Sequence, residues 1–388
     1  MNKSYLEMSS AQLQEEFEAV KKEYEQLKSQ GLSIDMSRGK PGADQLDISD
    51  GMLKVLDGSD FKCENGLDVR NYGILDGIPE AKRMFADLLS VKPENIIVGG
   101  NSSLSMMFDY VSQCMYTGAG FEPWSKQGTV KFLCPVPGYD RHFAICQFFG
   151  IEMINIPMTS YGPDMDAIEQ AVKDPAVKGM FCVPKYSNPQ GITFSKETVE
   201  RIANLNVSPD FRIIWDNAYF VHDIFEDGDT LLNIFPEAEK NGVEDMIIEV
   251  ASTSKISFPG SGIAAIATSH NNLDDIKTQL GMQTIGHDKV NQLRHVRFFK
   301  DINGMNEHMR KHADILRPKF EKVLEILENE LDGLEIGEWT KPKGGYFISF
   351  DSLKGCAKAI VARCKKAGVI MTGAGATYPY CLAPDDRN

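Results

Sequence analysis

The sequence lacks three features that would each have placed it in a definite class of protein. No apolar run approaches the roughly 18 residues that a membrane-spanning helix needs, and the first residues, MNKSYLEMSSAQ, hold no apolar segment of the kind found in secretory signals. Positive charge is not in excess, because 41 Lys and Arg residues face 55 Asp and Glu residues, a net charge of −14. This balance argues against a protein that binds nucleic-acid phosphates. We therefore expect a cytoplasmic protein with no membrane or nucleic-acid partner.

Paired metal-ligand and disulfide patterns are also missing. None of the eight cysteines forms a CxxC pair, so we expect reduced, mostly buried thiols rather than a disulfide framework or a structural zinc site. His308 and His312 are four residues apart, as metal ligands on a helix can be. Their charged neighbours Glu307, Arg310 and Lys311 predict a solvated helix face instead, and we expect no metal.

The N-terminal region has the pattern of an amphipathic helix. Its apolar residues recur at spacings of three and four, which places them on one stripe: Leu13, Phe17, Val20, Tyr24 and Leu27. Ser9 with Gln12 fits a capping box, and Gly31 fits a C-terminal stop. We favour docking of this stripe on the protein's own body, and a second subunit is the alternative.

Helical stretches then alternate with short apolar runs that are typical of strands buried on both faces. The runs lie at 96–98, 130–134, 153–156, 180–183, 211–215, 246–248 and 263–267. Helices between such strands imply a mostly parallel sheet. An amphipathic stretch follows over 290–331, with breaks expected at Asn303–Gly304 and near Pro318. A compact tail ends the chain, with its clearest strand predicted over 344–350.

Polar residues follow four of these runs, at the edge of the sheet where open α/β folds bind ligands. The four segments are Gly99-Gly100-Asn101-Ser102-Ser103, Asn188-Pro189-Gln190-Gly191, Asp216-Asn217-Ala218-Tyr219 and Ser252-Thr253-Ser254-Lys255. The first could cradle a phosphate at a helix start, and the last offers a lysine amine as a nucleophile. Taken singly, they are explained equally well by capped turns and by a lysine that reaches solvent.

Taken together and in this order, the four segments resemble the class I/II aminotransferases, which depend on pyridoxal 5′-phosphate and have fold type I. The resemblance runs from about residue 30 to the end of the chain. Further segments are similar to the aspartate aminotransferase subgroup called class Ic: 38–41, 45–47, 71–73, 137–141 and 257–262. The family fold is a large domain with a mostly parallel seven-stranded sheet and a smaller α+β C-terminal domain. It implies an N-terminal helix and arm over 1–50 that pack on the small domain or a partner subunit, a cofactor-binding domain over 51–289, and a connecting helix with a small domain over 290–388.

The resemblance also implies a role for each matching residue. Lys255 carries the cofactor as a Schiff base and moves the substrate proton, Asp216 pairs with the pyridine nitrogen, and Tyr219 with Asn188 binds the phenolic oxygen. The other implied cofactor contacts are Tyr139 on the ring, a phosphate cup of Gly100, Asn101, Ser102, Ser252 and Ser254, and Tyr72 from the neighbouring subunit. Gly39, Asn188 and Arg38 would bind substrate. A homodimer with shared active sites follows, and a cis peptide is expected at Asn188–Pro189.

Two departures from the family pattern stand out. Gly262 occupies the position of an arginine that usually binds the phosphate, so another cation is expected near the cup. The chain looks truncated before the arginine that usually binds the substrate carboxylate, and Arg387 is not expected to replace it. Four cations are candidates for a distal carboxylate: Arg38, Lys289, Arg294 and Arg297.

The resemblance implies an aminotransferase that moves the amino group of aspartate or a related dicarboxylate to a 2-oxo acid such as 2-oxoglutarate. A lyase on the same fold would share the removal of the α-proton and is one alternative. A catalytically impaired or regulatory relative of these enzymes is the other.

Overall fold

The computed structural model describes residues 4–388, and its centre is one large sheet. The strands are β1 (Ile34–Asp35), β2 (Ile96–Val98), β3 (Lys131–Val136), β4 (Glu152–Thr159), β5 (Gly162–Pro163), β6 (Val177–Cys182), β7 (Arg212–Asp216), β8 (Ile247–Ser252), β9 (Ala264–Ala267), β10 (Gly337–Trp339), β11 (Phe350–Ser352) and β12 (Val369–Ile370). The central sheet has the order β2-β9-β8-β7-β6-β3-β4-β5. Strands β4, β3, β6, β7 and β8 run parallel, and β9 is antiparallel to both of its neighbours. The seven predicted strands are confirmed, and the two-residue β5 adds an eighth.

Helices cover both faces of this sheet, as its buried strands require. They are α1 (Ser10–Ser29), α2 (Ala43–Asp47), α3 (Pro79–Leu89), α4 (Ser103–Tyr116), α5 (Asp140–Phe148), α6 (Met165–Ala171), α7 (Lys196–Ala203), α8 (Ile234–Asn241), α9 (His270–Gln283), α10 (Lys289–Phe299), α11 (Ile302–Leu331) and α12 (Ala357–Lys366). None of the helices within residues 4–388 combines the length and the apolarity needed to cross a bilayer.

Helix α1 begins and ends as predicted, but its apolar stripe does not pack on the body of the protein. Ser9 and Gln12 form the capping box, and Gly31 has a φ of +65°. The apolar stripe stays exposed, with Phe17 53% accessible, so the expectation that it docks on the body is wrong. One residue of the stripe contacts the rest of the chain, because Tyr24 Oη donates to the Arg363 carbonyl.

The two predicted breaks in the region after 289 are wrong. The helical conformation is interrupted at Lys300, whose φ is +66°. Asp301 then caps α11 by accepting from the N–H groups of residues 303 and 304. Helix α11 continues through Pro318, because its buried face extends to Phe320 on the far side of the proline. The burial of that face outweighs the hydrogen bond that the proline removes.

The strand predicted over 344–350 is also wrong except at its last residue. Gly344 forms an isolated bridge with Asp223, and Gly345 N–H donates to the His222 carbonyl. These contacts hold residues 344–349 against the large sheet's loops, so the segment has no strand partner until β11 pairs with β10. The N-terminal arm joins the C-terminal region through the parallel pair β1 and β12.

Candidate active site

The carboxyl ends of β6, β7 and β8 open into a cavity of about 250 Å³. Ten of the predicted site residues line it: Arg38, Gly39, Ser102, Tyr139, Asn188, Asp216, Tyr219, Ser252, Ser254 and Lys255. Gly100 and Asn101 instead line a neighbouring cavity of about 200 Å³ between α4 and α9. Tyr72 is 83% exposed and lies outside the wall of the main cavity. Sequence reasoning missed Asp140, Phe347, Thr372 and Thr377, which also line the cavity.

Lys255 lies in a turn that begins two residues after β8 ends. Its Nζ is 4.8 Å from the centroid of the Tyr219 ring, on the ring face. Burial lowers the pKa of Lys255, and the nearby Asp216 carboxylate acts in the opposite direction. An amine with a lowered pKa is a better nucleophile and base near neutral pH.

Asp216 ends β7 and is buried at the base of the cavity. Its Oδ2 lies 3.0 Å from His142 Nε2, and the His142 ring stacks on Phe181 with centroids 4.7 Å apart. Its Oδ1 is buried and has no hydrogen-bond partner among residues 4–388. A buried carboxylate oxygen without a partner is costly, so this atom fits a donor that a bound molecule would bring. His142 was missed although it directly follows the 137–141 segment, and no spacing rule singles it out.

The phenols of the cavity are protonated. Burial raises the pKa of Tyr139 to about 12 and holds the pKa of Tyr219 well above its ordinary value. Both can therefore donate a hydrogen bond at neutral pH. The Asn188–Pro189 peptide is cis, as predicted.

Hydroxyl groups and a helix start meet at one end of the cavity. Ser252 Oγ donates to Ser254 Oγ at 3.0 Å, and Ser254 Oγ lies 3.4 Å from the Asn101 carbonyl. Ser102 precedes α4 and makes no side-chain cap, so the first N–H groups of this 14-residue helix are free to bind an anion.

Few positive charges accompany these donors. Arg38 and Lys255 are the two cations that line the cavity. Arg294 approaches the turn that holds Gly262, with Nη2 2.6 Å from Ser261 Oγ, and its Nε is buried and has no hydrogen-bond partner among residues 4–388.

The four candidates for a distal carboxylate occupy different places. Arg38 is at the cavity and pairs with Asp140 at 2.9 Å. Arg297 pairs with Asp60, and Lys289 is buried. Neither of them lines the cavity.

The N-terminal arm and the C-terminal segment approach each other closely at Gly39, in the wall of the cavity. A Cβ added at Gly39 would lie 2.6 Å from Cζ of Phe347. A side chain at this position would therefore require the Phe347 ring to move.

Several proteins similar to this chain are named aminotransferases or transaminases. The chain matches the family model described as aspartate amino-transferase over residues 8–388. It is 44% identical to a protein named aspartate aminotransferase from Corynebacterium glutamicum, over 99% of this chain and 91% of that protein. A crystal structure of an aspartate transaminase from C. glutamicum has a TM-score of 0.96 at 44% identity and covers 99% of this chain and 92% of that one.

A more distant structure shares the fold alone. A kynurenine aminotransferase from Pyrococcus horikoshii, solved in complex with PMP, has a TM-score of 0.75 at 20% identity, over 99% of this chain and 90% of that one. The fold is that of the pyridoxal-phosphate-dependent transferases of type I. With the family match over nearly all its length, the chain belongs to the aspartate aminotransferase family and is an aminotransferase.

Proposed function

We propose that this enzyme uses pyridoxal 5′-phosphate to move an amino group from aspartate, or a related dicarboxylic amino acid, to a 2-oxo acid such as 2-oxoglutarate. One observation carries the proposal. Lys255 and Asp216 line the same cavity, and Asp216 Oδ1 is buried with no hydrogen-bond partner among residues 4–388, which suits a flat cofactor with a protonated ring nitrogen and a carbonyl carbon.

The residues present fit this cofactor. When bound, pyridoxal phosphate supplies an electron sink for negative charge at the substrate Cα. Asp216 would hold a proton at the pyridine nitrogen, with His142 keeping the carboxylate in place. Tyr219 and Asn188 would donate to the phenolic oxygen, and Tyr139 would cover the ring. Lys255 Nζ would take the proton from Cα and pass it to the carbon that comes from the cofactor's aldehyde, as transfer of the amino group requires.

The phosphate would lie among neutral donors. Ser102, Ser252 and Ser254 would supply hydroxyls, and the start of α4 would add N–H groups and a partial positive charge. Gly100 and Asn101 belong to the loop before α4, although they line the neighbouring cavity between α4 and α9. The Arg294 guanidinium is the cation that we assign to the neighbourhood of Gly262.

Substrate would bind where Arg38 and Gly39 line the cavity. The N–H of Gly39 is the proposed contact for the α-carboxylate. Arg38 is the proposed contact for the distal carboxylate, and it would exchange its bond to Asp140 for one to the substrate.

We further propose a homodimer in which Tyr72 completes the partner's phosphate cup. Its side chain is 83% exposed in the single chain, and Met282 is 88% exposed. Mixing Tyr72→Ala and Lys255→Ala subunits tests this, because a hybrid dimer has one intact site. Random mixing should restore activity in about one quarter of the sites, and no recovery would refute shared sites.

The decisive experiment for the function combines labelling and turnover. The holoenzyme is reduced with borohydride and its peptides are mapped, and the cofactor should be found on Lys255. Initial rates are then measured for a panel of amino donors with 2-oxoglutarate, with glutamate as the readout. Lys255→Met should abolish glutamate formation, and the matched surface variant Lys277→Met should not. Release of a 2-oxo acid and ammonia without an acceptor would instead show a lyase, and label on another lysine would remove the assignment.

A further inference from the structure

Two histidines that the sequence placed on a solvated face are among the most buried polar residues of the chain. His308 is 4% exposed and His312 is 2% exposed, so that expectation is wrong. Both lie on α11 and point toward the turn that carries Lys255. This buried pair has no part in the mechanism described above.

The two imidazoles converge on a single backbone oxygen. His308 Nε2 is 2.8 Å and His312 Nε2 is 2.9 Å from the carbonyl oxygen of Ile256. Ile256 is the residue after Lys255. His308 Nε2 also lies 3.2 Å from Ser49 Oγ, and the two Nε2 atoms are 3.2 Å apart. The carbonyl is the shorter contact of both nitrogens, and since a carbonyl oxygen only accepts hydrogen bonds, this geometry assigns a hydrogen to each Nε2.

The neighbours of His312 fix its proton on Nε2. The Gly42 N–H donates to Gln45 Oε1 at 3.1 Å, which leaves the Gln45 amide nitrogen facing His312 Nδ1 at 3.1 Å. That nitrogen donates, so Nδ1 must accept. Gln45 also donates to Tyr346 Oη at 2.9 Å, so a turn of its amide group would lose three contacts.

The charge state of the pair agrees with this arrangement. Burial lowers the pKa of His308 to about 4 and also lowers the pKa of His312. The charged groups that act on the pair are Lys311 on the same helix and Asp44 on α2. Both imidazoles are therefore neutral at neutral pH, with one N–H each.

We propose that His308 and His312 are positioning residues that hold the Lys255 turn by donating together to the Ile256 carbonyl. Peptide 256–257 is fixed to α11 by two bonds, so the backbone next to the lysine cannot rotate. This restricts where Nζ can lie over the Tyr219 ring. The inference rests on the proposed role of Lys255, and it adds residues from the connecting helix to the site.

The test reads the lysine in the cofactor-free protein. Purified protein is treated with a small acylating reagent across a range of pH, and the labelling of Lys255 is followed by peptide mass spectrometry, with exposed lysines as internal standards. The rate profile gives the pKa of this amine. Failure of the cofactor assignment would appear in the borohydride map and would leave this measurement untouched.

The variants separate positioning from general packing. His308→Leu and His312→Leu each remove a donor, and each should raise the pKa of Lys255 by up to about one pH unit as Nζ gains solvent. His308→Gln and His312→Gln keep a donor and should restore most of the original profile. Met309→Ala loosens the same buried face of α11 without removing a donor to the Ile256 carbonyl, and it should leave the profile unchanged.

Three results would overturn the proposal. They are an unchanged profile in both folded leucine variants, an equal shift in Met309→Ala, and no recovery in the glutamine variants. If the leucine variants do not fold, His308→Phe and His312→Phe decide, because each keeps an aromatic ring and removes the donor to the Ile256 carbonyl. A shifted Lys255 profile in a folded phenylalanine variant supports the positioning role, and an unchanged one refutes it.

Discussion

Replacing Asp216 by asparagine should have opposite effects on cofactor affinity and on folding. The substitution keeps the shape of the side chain and its oxygen near His142 Nε2, which lies 3.0 Å from Asp216 Oδ2. It removes the negative charge from a site that is 3% exposed. The free oxygen Oδ1 has no partner within residues 4–388, so no internal ion pair is broken there.

The size of the effect on binding follows from that free oxygen. A hydrogen bond to a charged group contributes about 1.5–3 kcal/mol, and about 1.4 kcal/mol corresponds to a factor of ten. Asp216→Asn should therefore weaken cofactor binding by about 10- to 100-fold. Burying a neutral amide costs less than burying a carboxylate, so the cofactor-free variant should be as stable as the parent or more stable.

The assay measures both quantities on one preparation. Cofactor affinity is obtained from an absorbance titration, and stability from urea unfolding of the cofactor-free protein. Asp210→Asn is the matched control, because Asp210 is also buried but pairs with Lys178 at 2.8 Å. It should lose stability, since Lys178 is left unpaired, and keep its cofactor affinity. Parental affinity in Asp216→Asn, or a loss of stability as large as that of the control, would refute the reasoning.

Three further substitutions test other parts of the structure. Burial raises the pKa of Glu249 from 4.5 to about 7, so the folded state holds a proton that the unfolded state releases and stability falls as pH rises through this window. Glu249→Gln should raise the free energy of unfolding by up to about 3 kcal/mol at pH 8 and by under about 1 kcal/mol at pH 5, and an equal gain at both pH values would count against this. Gly262→Arg should weaken cofactor binding instead of restoring the family's arginine, because a Cβ there would lie 2.9 Å from Thr253 Oγ1; a tighter dissociation constant in the titration would disprove it. Gly344→Ala should lower the free energy of unfolding by about 1–3 kcal/mol, because its Cβ would lie 2.2 Å from the Tyr186 ring, and an unchanged urea midpoint would contradict the close approach.

The strands and the polar segments after them could be predicted because both signals are local. A run such as 211–215 is apolar over its whole length, and a strand buried on both faces needs that composition. Asp216 ends β7, Tyr219 follows it by three residues, and Lys255 lies three residues after the end of β8. Their convergence at one cavity is a consequence of parallel strands, which bring their carboxyl ends to one edge.

The buried histidines of α11 were misread for a physical reason. The charged residues beside them in sequence lie on a different face of the helix from the two histidines. Met305, His308, Met309, His312 and Ala313 recur at three- and four-residue spacings, and these are the buried residues of this part of the helix. This spacing predicts the buried face only if histidine is counted as a core residue. A histidine can be buried only when its ring has a hydrogen-bond partner such as the Ile256 carbonyl. That partner lies in another part of the chain and no local pattern shows it.

The strand predicted over 344–350 is wrong because contacts elsewhere in the chain override a clear local pattern. Its alternating apolar residues suit a strand, but Gly344 and Gly345 press against Tyr186, and Phe347 is used as a wall of the cavity. A strand needs a neighbour with free backbone groups, and the nearest edge pairs only from Phe350 onward. Contacts with the large domain therefore decide the conformation of this segment.

Register explains how two buried carboxylates coexist at the centre of the sheet. Trp215 of β7 is opposite Glu249 of β8, and Asp216 is opposite Val250. Because successive side chains of a strand point to opposite faces, Asp216 and Glu249 are kept on different sides of the sheet. A shift of one residue would place them on the same face, where like charges raise each other's pKa. The pairing of β7 with β8 therefore places Glu249 against the Asn217 amide and Asp216 at the cavity.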